Sequence, residues 1–283
     1  MSSVQPTESA TPVQAAVGTP VLELRDVAVH FGGVKAVDGI SLALQPGLIY
    51  GIIGPNGSGK TTLIGAITRL TGLTRGDLLF DGESYVSAPP SRLVDLGVAR
   101  TFQTVRLLPD LDVARNIQVG ADARGGRGAT DGPAARESVG ARLKGLVSGG
   151  SAPSPAVAAA IARTGLEGFE RHYPDELSYG TQRRIEIARA MAMNPRLLLL
   201  DEPTAGMNQA ERAEISALMR DMRSEGGLCQ LLVEHDVQMM IDTCDYVFAM
   251  NTGRLIAEGE PREVVQNPLV QEAYLGRKFR EHA

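Results

Sequence analysis

Cysteine is scarce in this sequence: the 283 residues hold two, Cys229 and Cys244. Neither stands at a metal-ligand spacing, and two thiols so far from any framework are expected to be reduced and buried. Long apolar runs are missing too. No stretch approaches the roughly 18 residues needed to cross a bilayer, so no membrane span is expected. The opening segment, MSSVQPTESATPVQAAVGTP, has neither the basic nor the apolar region of a secretion signal. It is rich in Ser, Thr, Pro, Ala and Gln and buries too little apolar area to offset its ordering entropy, so residues 1–20 are expected to be a disordered tail. An excess of positive charge is also absent. The net charge of -5 argues against a general nucleic-acid binder. With 43% hydrophobic and 22% charged residues, the chain reads as an ordinary soluble globular protein. Its length suits one large domain or a core plus a lobe. No internal repeat is visible.

The remaining pattern alternates strands and helices. VLELRDVAVHF places Leu22, Leu24, Val27 and Val29 as a half-buried strand. GISLALQPGLIYGIIG gives a second alternating strand, a Pro-Gly turn and a fully apolar strand from Leu48 to Ile53. GDLLFDGESY reads as another strand and turn. Continuous apolar strands are expected at Leu197–Leu200 and at about Leu228–Val233, and YVFAMNTGRLIAEG as a hairpin around Asn251–Gly253. Two short helices close the chain, near Arg262–Gln266 and Leu269–Leu275. Such alternation implies an α/β fold with a largely parallel sheet. Between Val94 and Ser178 the character shifts to Gly-, Ala- and Ser-rich. Two helices are expected there, one starting at Pro133 and one at Pro155 behind a Ser154 cap with Gly165 as its stop. This segment is expected to be an inserted helical lobe.

The sharpest motif is GPNGSGKTT: Gly54, Pro55, Asn56, Gly57, Ser58, Gly59, Lys60, Thr61 and Thr62. It matches G-x-x-x-x-G-K-[ST] directly after an apolar strand and directly before a helical pattern, the context that gives the match meaning. Glycines let the backbone wrap a polyanion with its N–H groups inward, and the helix N-terminus adds partial positive charge. Lys60 is expected on the β- and γ-phosphates and the Thr61 hydroxyl on Mg²⁺. LLLLDEP supplies the carboxylates. Asp201, at the end of a buried strand, can orient Mg²⁺. Glu202, one residue on, projects differently and can polarise a water beyond the γ-phosphate as general base. A GTPase would want N-K-x-D, which is absent, and a small-molecule kinase rarely carries a glutamate after the strand aspartate. An ATPase remains.

One further stretch is puzzling in isolation. LSYGTQRRIEIARAM, Leu177–Met191, begins a helix with a small hydroxyl and a glycine, turns basic, and then takes apolar spacing. Read in order, the phosphate loop, LSYGTQ, LLLLDEP and VEHD resemble the ATP-binding-cassette ATPases over about Val21–Leu275. That resemblance implies a P-loop core with a mixed sheet, an antiparallel β-subdomain and an inserted helical subdomain. The cassette would then span 21–283, its core 21–94 and 179–283, its lobe about 95–178. In the family two cassettes dimerise head to tail, each ATP lying between the loop of one and the signature of the other. Ser178 and Gly180 are therefore expected on a partner's phosphate, although Ser178 also reads as a plain N-cap. Gln103, in RTFQTVRLL, matches the glutamine linking Mg²⁺ and the attacking water to the lobe. His235 matches the histidine that contacts the γ-phosphate and holds Glu202. Phe31 matches the aromatic that stacks on adenine; a core aromatic is the other reading of the same residue. Tyr179 and Thr181 depart from the commonest signature, and Asn208 stands where many members have aspartate.

A single phosphate loop without a membrane span implies a separate subunit. FGGVKAVDGISL, RTFQTVRLLPDLDVARNI, the signature stretch and the tail GEPREVVQNPLVQEAYLG look like the ATPase subunits of branched-chain amino acid importers. The implied cofactors are ATP and Mg²⁺. The implied partners are transmembrane permease subunits, a second ATPase subunit and, indirectly, an extracytoplasmic substrate-binding protein, with the chain peripheral on the cytoplasmic membrane face. A related urea, amide or other amino acid importer, or a lipopolysaccharide-type exporter, shares most of these motifs.

Overall fold

The structure, a computed structural model, describes residues 18–125, 153–224 and 227–278. Most of the expected tail and the helix expected from Pro133 lie outside those residues. In chain order the first half contains β1 (Leu22–Phe31), β2 (Val34–Leu44), β3 (Ile49–Ile53), α1 (Lys60–Ile67), β4 (Arg75–Phe80), β5 (Glu83–Ser84), α2 (Leu93–Leu96) and β6 (Val98–Arg100). Three helices follow: α3 (Val113–Gly125), α4 (Pro155–Arg163) and α5 (Tyr179–Met191). The rest is β7 (Leu197–Asp201), α6 (Gln209–Ser224), β8 (Cys229–Val233), α7 (Val237–Thr243), β9 (Tyr246–Asn251), β10 (Arg254–Gly259), α8 (Pro261–Gln266) and α9 (Pro268–Lys278).

Two sheets divide the strands. The larger has the order β10-β9-β3-β8-β7-β6, and the smaller β2-β1-β4-β5. In the larger sheet β9, β3, β8, β7 and β6 run parallel and β10 pairs antiparallel with β9. Every residue of β3, β7 and β8 is buried. That is why these strands read as mostly apolar runs, broken only by Gln230 in β8 and by Asp201 at the end of β7: both faces of a parallel sheet are covered. One face packs on α1 and the small sheet, through Ile52, Leu63, Ile67, Leu199 and Leu231. The other packs on α5, α6, α7 and α8, through Ile187, Met219, Met240 and Val264. The small sheet is antiparallel throughout, and β1 buries the expected Leu22, Leu24, Val27 and Val29, but its alternation fails after a register break between Leu24 and Val27, where Asp26 takes φ +48° and Ala28 is buried as well.

A third apolar cluster forms the lobe. Val113 and Ile117 of α3, Val157, Ala160 and Ile161 of α4, and Leu166 close on Ile185, Ala188 and Ala192. Helix α5 thus shows one face to the lobe and another, through Ile187 and Met191, to the core. Buried Asn116 organises the approach to α3: its amide nitrogen donates to the carbonyls of Leu108, Leu111 and Asp112, and its oxygen accepts from Leu108 N–H. Helix α4 starts at Pro155 and Gly165 follows it at φ +61°, as expected, but Ser154 does not cap it: its hydroxyl makes no cap hydrogen bond, and the proline in the first turn sets the start instead. Within the span expected for the lobe, β6 pairs with β7, so residues 98–100 belong to the large sheet rather than to the helical layer. Cys229 and Cys244 are both free and buried, and burial pushes both thiols up.

Candidate active site

The phosphate loop leaves β3 at the centre of the sheet and enters α1. Gly54 has φ +154°, and a Cβ there would lie 2.2 Å from the Met250 carbonyl oxygen. Gly59 has φ +104°, and a Cβ would lie 2.1 Å from the Ala36 carbonyl oxygen. Only glycine fits either position. The hairpin tip between β9 and β10 laces the loop down: Gly253 N–H donates to Ser58 O (2.9 Å) and Asp38 N–H to Gly253 O (2.8 Å). Beside that tip the Arg254 hydrogen bond holds the Asp38 carboxyl at about 2, with Lys35 and His30 adding to the effect.

Lys60 is folded back over the loop, its ammonium donating to Gly54 O (2.7 Å) and Pro55 O (3.1 Å). Among the described residues the Ser58 hydroxyl is buried without a hydrogen-bond partner, and the first turn of α1 carries no acidic residue. An orphaned donor, a cation and a backbone kept bare by Gly54, Gly57 and Gly59 suit a polyphosphate. Thr61 and Thr62 open the same helix, Thr61 exposed. Across the cradle β7 delivers Asp201, which is 7% exposed and pairs with Arg100 (Nη2 to Oδ2, 3.0 Å). Glu202 follows at φ +45°, and its N–H donates to Val233 O (2.8 Å). Gln103 comes to the same point from the other side of the lobe boundary: its Nε2 donates to Glu202 Oε2 at 2.7 Å. A hydroxyl, a carboxylate and an amide oxygen are hard donors of the kind Mg²⁺ takes together with substrate phosphates.

Two expected residues sit differently from the sequence reading. His235 is exposed at the end of β8, and its contacts run to Glu234, not to Glu202. The reason is that Glu234 turns inward, accepting from Thr204 N–H (3.0 Å) and its hydroxyl (2.7 Å), and so stands between them in the chain as a fully buried lock on the loop after Glu202. Gly180, expected to bare its N–H, is buried with the Glu211 carboxylate against it, an added Cβ falling 3.3 Å from Glu211 Oε1. Glu211 is held there by a reciprocal capping box with Asn208 (both bonds 3.0 Å). Ser178 caps α5, its hydroxyl accepting from Thr181 N–H (3.2 Å). Tyr179 is 38% exposed and lies beside Gly206. Phe31 is 55% exposed at the end of β1, which excludes the core-aromatic reading.

Sequence reasoning missed Arg100, Glu234 and the pair Arg183–Glu186. For the last a signal existed: RRIE puts opposite charges three residues apart inside an otherwise apolar helical spacing. Arg183 and Glu186 are both buried, with Nη1 to Oε2 at 2.6 Å.

The chain is similar to known proteins. The ABC transporter family profile matches residues 37–205, and a profile described as branched-chain amino acid ATP-binding cassette transporter matches residues 254–280. The chain is 34% identical to the high-affinity branched-chain amino acid transport ATP-binding protein BraF of Pseudomonas aeruginosa, over 91% of this chain and 98% of that protein. It has the same identity and coverage to the corresponding protein LivG of Escherichia coli K12. Among solved structures, the ADP conformation of MJ1267, an ATP-binding cassette of an ABC transporter, superposes with a TM-score of 0.77 at 29% identity, covering 91% of this chain and 99% of that one. A nucleotide-free cassette from an ABC transporter gives 0.75 at 29% identity, covering 90% and 98%. With cradle, paired carboxylates and profile in agreement, the chain belongs to the ATP-binding cassettes of the ABC transporter family, ATPases whose hydrolysis of nucleotide drives transport.

Proposed function

We propose that this cassette hydrolyses ATP to drive import of branched-chain amino acids, with Glu202 as general base. The observation that carries the mechanism is the 2.7 Å hydrogen bond from Gln103 to Glu202, which joins the lobe side to the base beside the cradle. The substrate reading rests on the two named relatives and on the family profile over β10, α8 and α9. Backbone N–H groups of Gly54 to Thr62 and the Lys60 ammonium bind the phosphates. Phe31 offers its exposed ring to adenine. Thr61, Asp201 and Gln103 would hold Mg²⁺, which would neutralise phosphate charge. Glu202 takes the proton of the attacking water, and His235 reaches the γ-phosphate from its exposed position.

Ser178 serves the nucleotide of a second cassette, and Gly180 joins it once the Glu211 carboxylate against it moves aside, in a dimer with its membrane-spanning permease subunits. An extracytoplasmic binding protein supplies the amino acid, and the cassette is peripheral on the cytoplasmic face. We divide the chain into a tail at 1–20 and a cassette at 21–283, with the lobe inserted at about 95–178 around the sheet strand β6. Because the signature acts on the partner's ATP, Tyr179→Gly leaves nucleotide affinity of the isolated chain unchanged. Equilibrium binding to the monomer checks this; weakened binding would refute the head-to-tail arrangement.

Gentle extraction of the tagged chain from membranes tests the transport reading. Recovery of two different multi-span proteins and a second, distinct ATPase is expected. Recovery with itself and one exporter-type membrane protein favours the lipopolysaccharide-type alternative. No membrane protein at all, from a complex known to survive the detergent, refutes a transport role.

A further inference from the structure

Arg183 has no exposed surface, yet it does not serve one partner alone. Its Nη1 donates to Phe102 O (2.6 Å) and Glu186 Oε2 (2.6 Å). Its Nη2 donates to Gln103 O (2.8 Å) and reaches Glu202 O (3.4 Å). The Phe102 N–H turns back toward the other Glu186 oxygen (3.5 Å). One guanidinium from the signature helix therefore grips the main chain of both residues whose side chains meet at 2.7 Å, Gln103 and Glu202.

We propose that Arg183 is a positioning residue for ATP hydrolysis, fixing the backbones of Gln103 and Glu202 so that amide and carboxylate meet, and tying that geometry to the signature helix. The inference rests on the reading of Glu202 as base. Stability is a poor explanation for the arrangement. A buried ion pair roughly breaks even against well-packed apolar side chains, and Arg183 Nε is buried without a hydrogen-bond partner among the described residues. What an apolar pair could not do is hold two carbonyls from two different segments. Lysine could not either, because only the planar fork presents two nitrogens in fixed relation. The role passes through the main chain, so the cradle and its affinity for nucleotide stand apart from it.

Two variants test this in the full chain assembled with its transporter. Arg183→Met combined with Glu186→Leu removes both buried charges at once and keeps the volume apolar. Arg183→Lys keeps the charge but loses the fork. Melting temperature, KM for ATP and kcat are measured for both. In either folded variant kcat falls by about 100-fold, the order expected for a misplacement near 1 Å. KM for ATP moves by about twofold at most, since ground-state binding is untouched. Wild-type kcat in either folded variant overturns the proposal, and if the double variant does not fold, Arg183→Lys decides. Glu202→Gln runs in parallel. If it still hydrolyses ATP, the base assignment fails; if it is inactive while both Arg183 variants turn over normally, only the positioning role fails.

Discussion

Glu202→Gln lowers the hydrolysis rate by about 10²- to 10⁴-fold, the range a positioned general base contributes. Each decade is about 1.4 kcal/mol of barrier, so the single oxygen-to-amide change raises it by about 3–5 kcal/mol. The substitution suits the site because it alters charge and basicity while keeping shape. The Glu202 backbone is fixed independently of its carboxylate, by φ +45°, by its N–H on Val233 O and by Glu234 locking Thr204 just beyond. The glutamine carbonyl can still accept from Gln103. Nucleotide binding survives, so the ATP-bound dimer accumulates, because the step that opens it is blocked. Phosphate release and size-exclusion in the presence of ATP and Mg²⁺ measure the two effects together. Wild-type turnover would remove Glu202 as the base.

Lys60→Ala acts at the earlier step and weakens ATP binding by about 10- to 100-fold, since a hydrogen bond to a charged group contributes about 1.5–3 kcal/mol. The loss comes from the phosphates, which lose a cation; the Lys60 bonds to Gly54 O and Pro55 O are not needed to keep the loop folded. Backbone pinning by Gly253 and the close approaches at Gly54 and Gly59 keep the loop folded. The melting temperature of the nucleotide-free chain therefore changes little while affinity drops. Equilibrium binding of a fluorescent ATP analogue checks it, and unchanged affinity would contradict the cradle.

How much of this was legible in the sequence depends on whether the cause is local. The phosphate loop is nine consecutive residues, and its neighbours β3 and α1 announce themselves by apolar run and helical spacing. The strands β7 and β8 were legible for the same reason, since burial on both faces makes them mostly apolar, with Gln230 and the terminal Asp201 as buried polar exceptions. The hairpin at Asn251–Gly253 follows from turn chemistry, and the α4 start from a proline in its first turn; the expected Ser154 cap does not form. The split into two sheets was not legible residue by residue, because β1, β2 and β4 choose partners far along the chain; it came only with the family resemblance. Strand β6 is three residues long, too short for any period to show. Arg183 was missed because its partners, the Phe102 and Gln103 carbonyls, lie about 80 residues away and invert the usual expectation that an arginine is exposed. The sequence alone also could not show that Glu211 would fold over Gly180, or that His235 would turn outward behind Glu234.

The strand order has a consequence in time. The phosphate loop hangs from β3, whose two neighbours are β8 and β9. A ribosome making about 5–20 residues per second needs roughly 10–40 s after β3 emerges before β8 follows it. Until then β3 has neither lateral partner, Gly54 has no Met250 behind it, and Ser58 O has no Gly253 N–H to accept from. The ATP site is among the last parts of the nascent chain to be completed. A half-made chain carries the whole phosphate-binding motif in its sequence and still cannot present it to nucleotide, so synthesis itself delays the first turnover until the remainder of the machine exists.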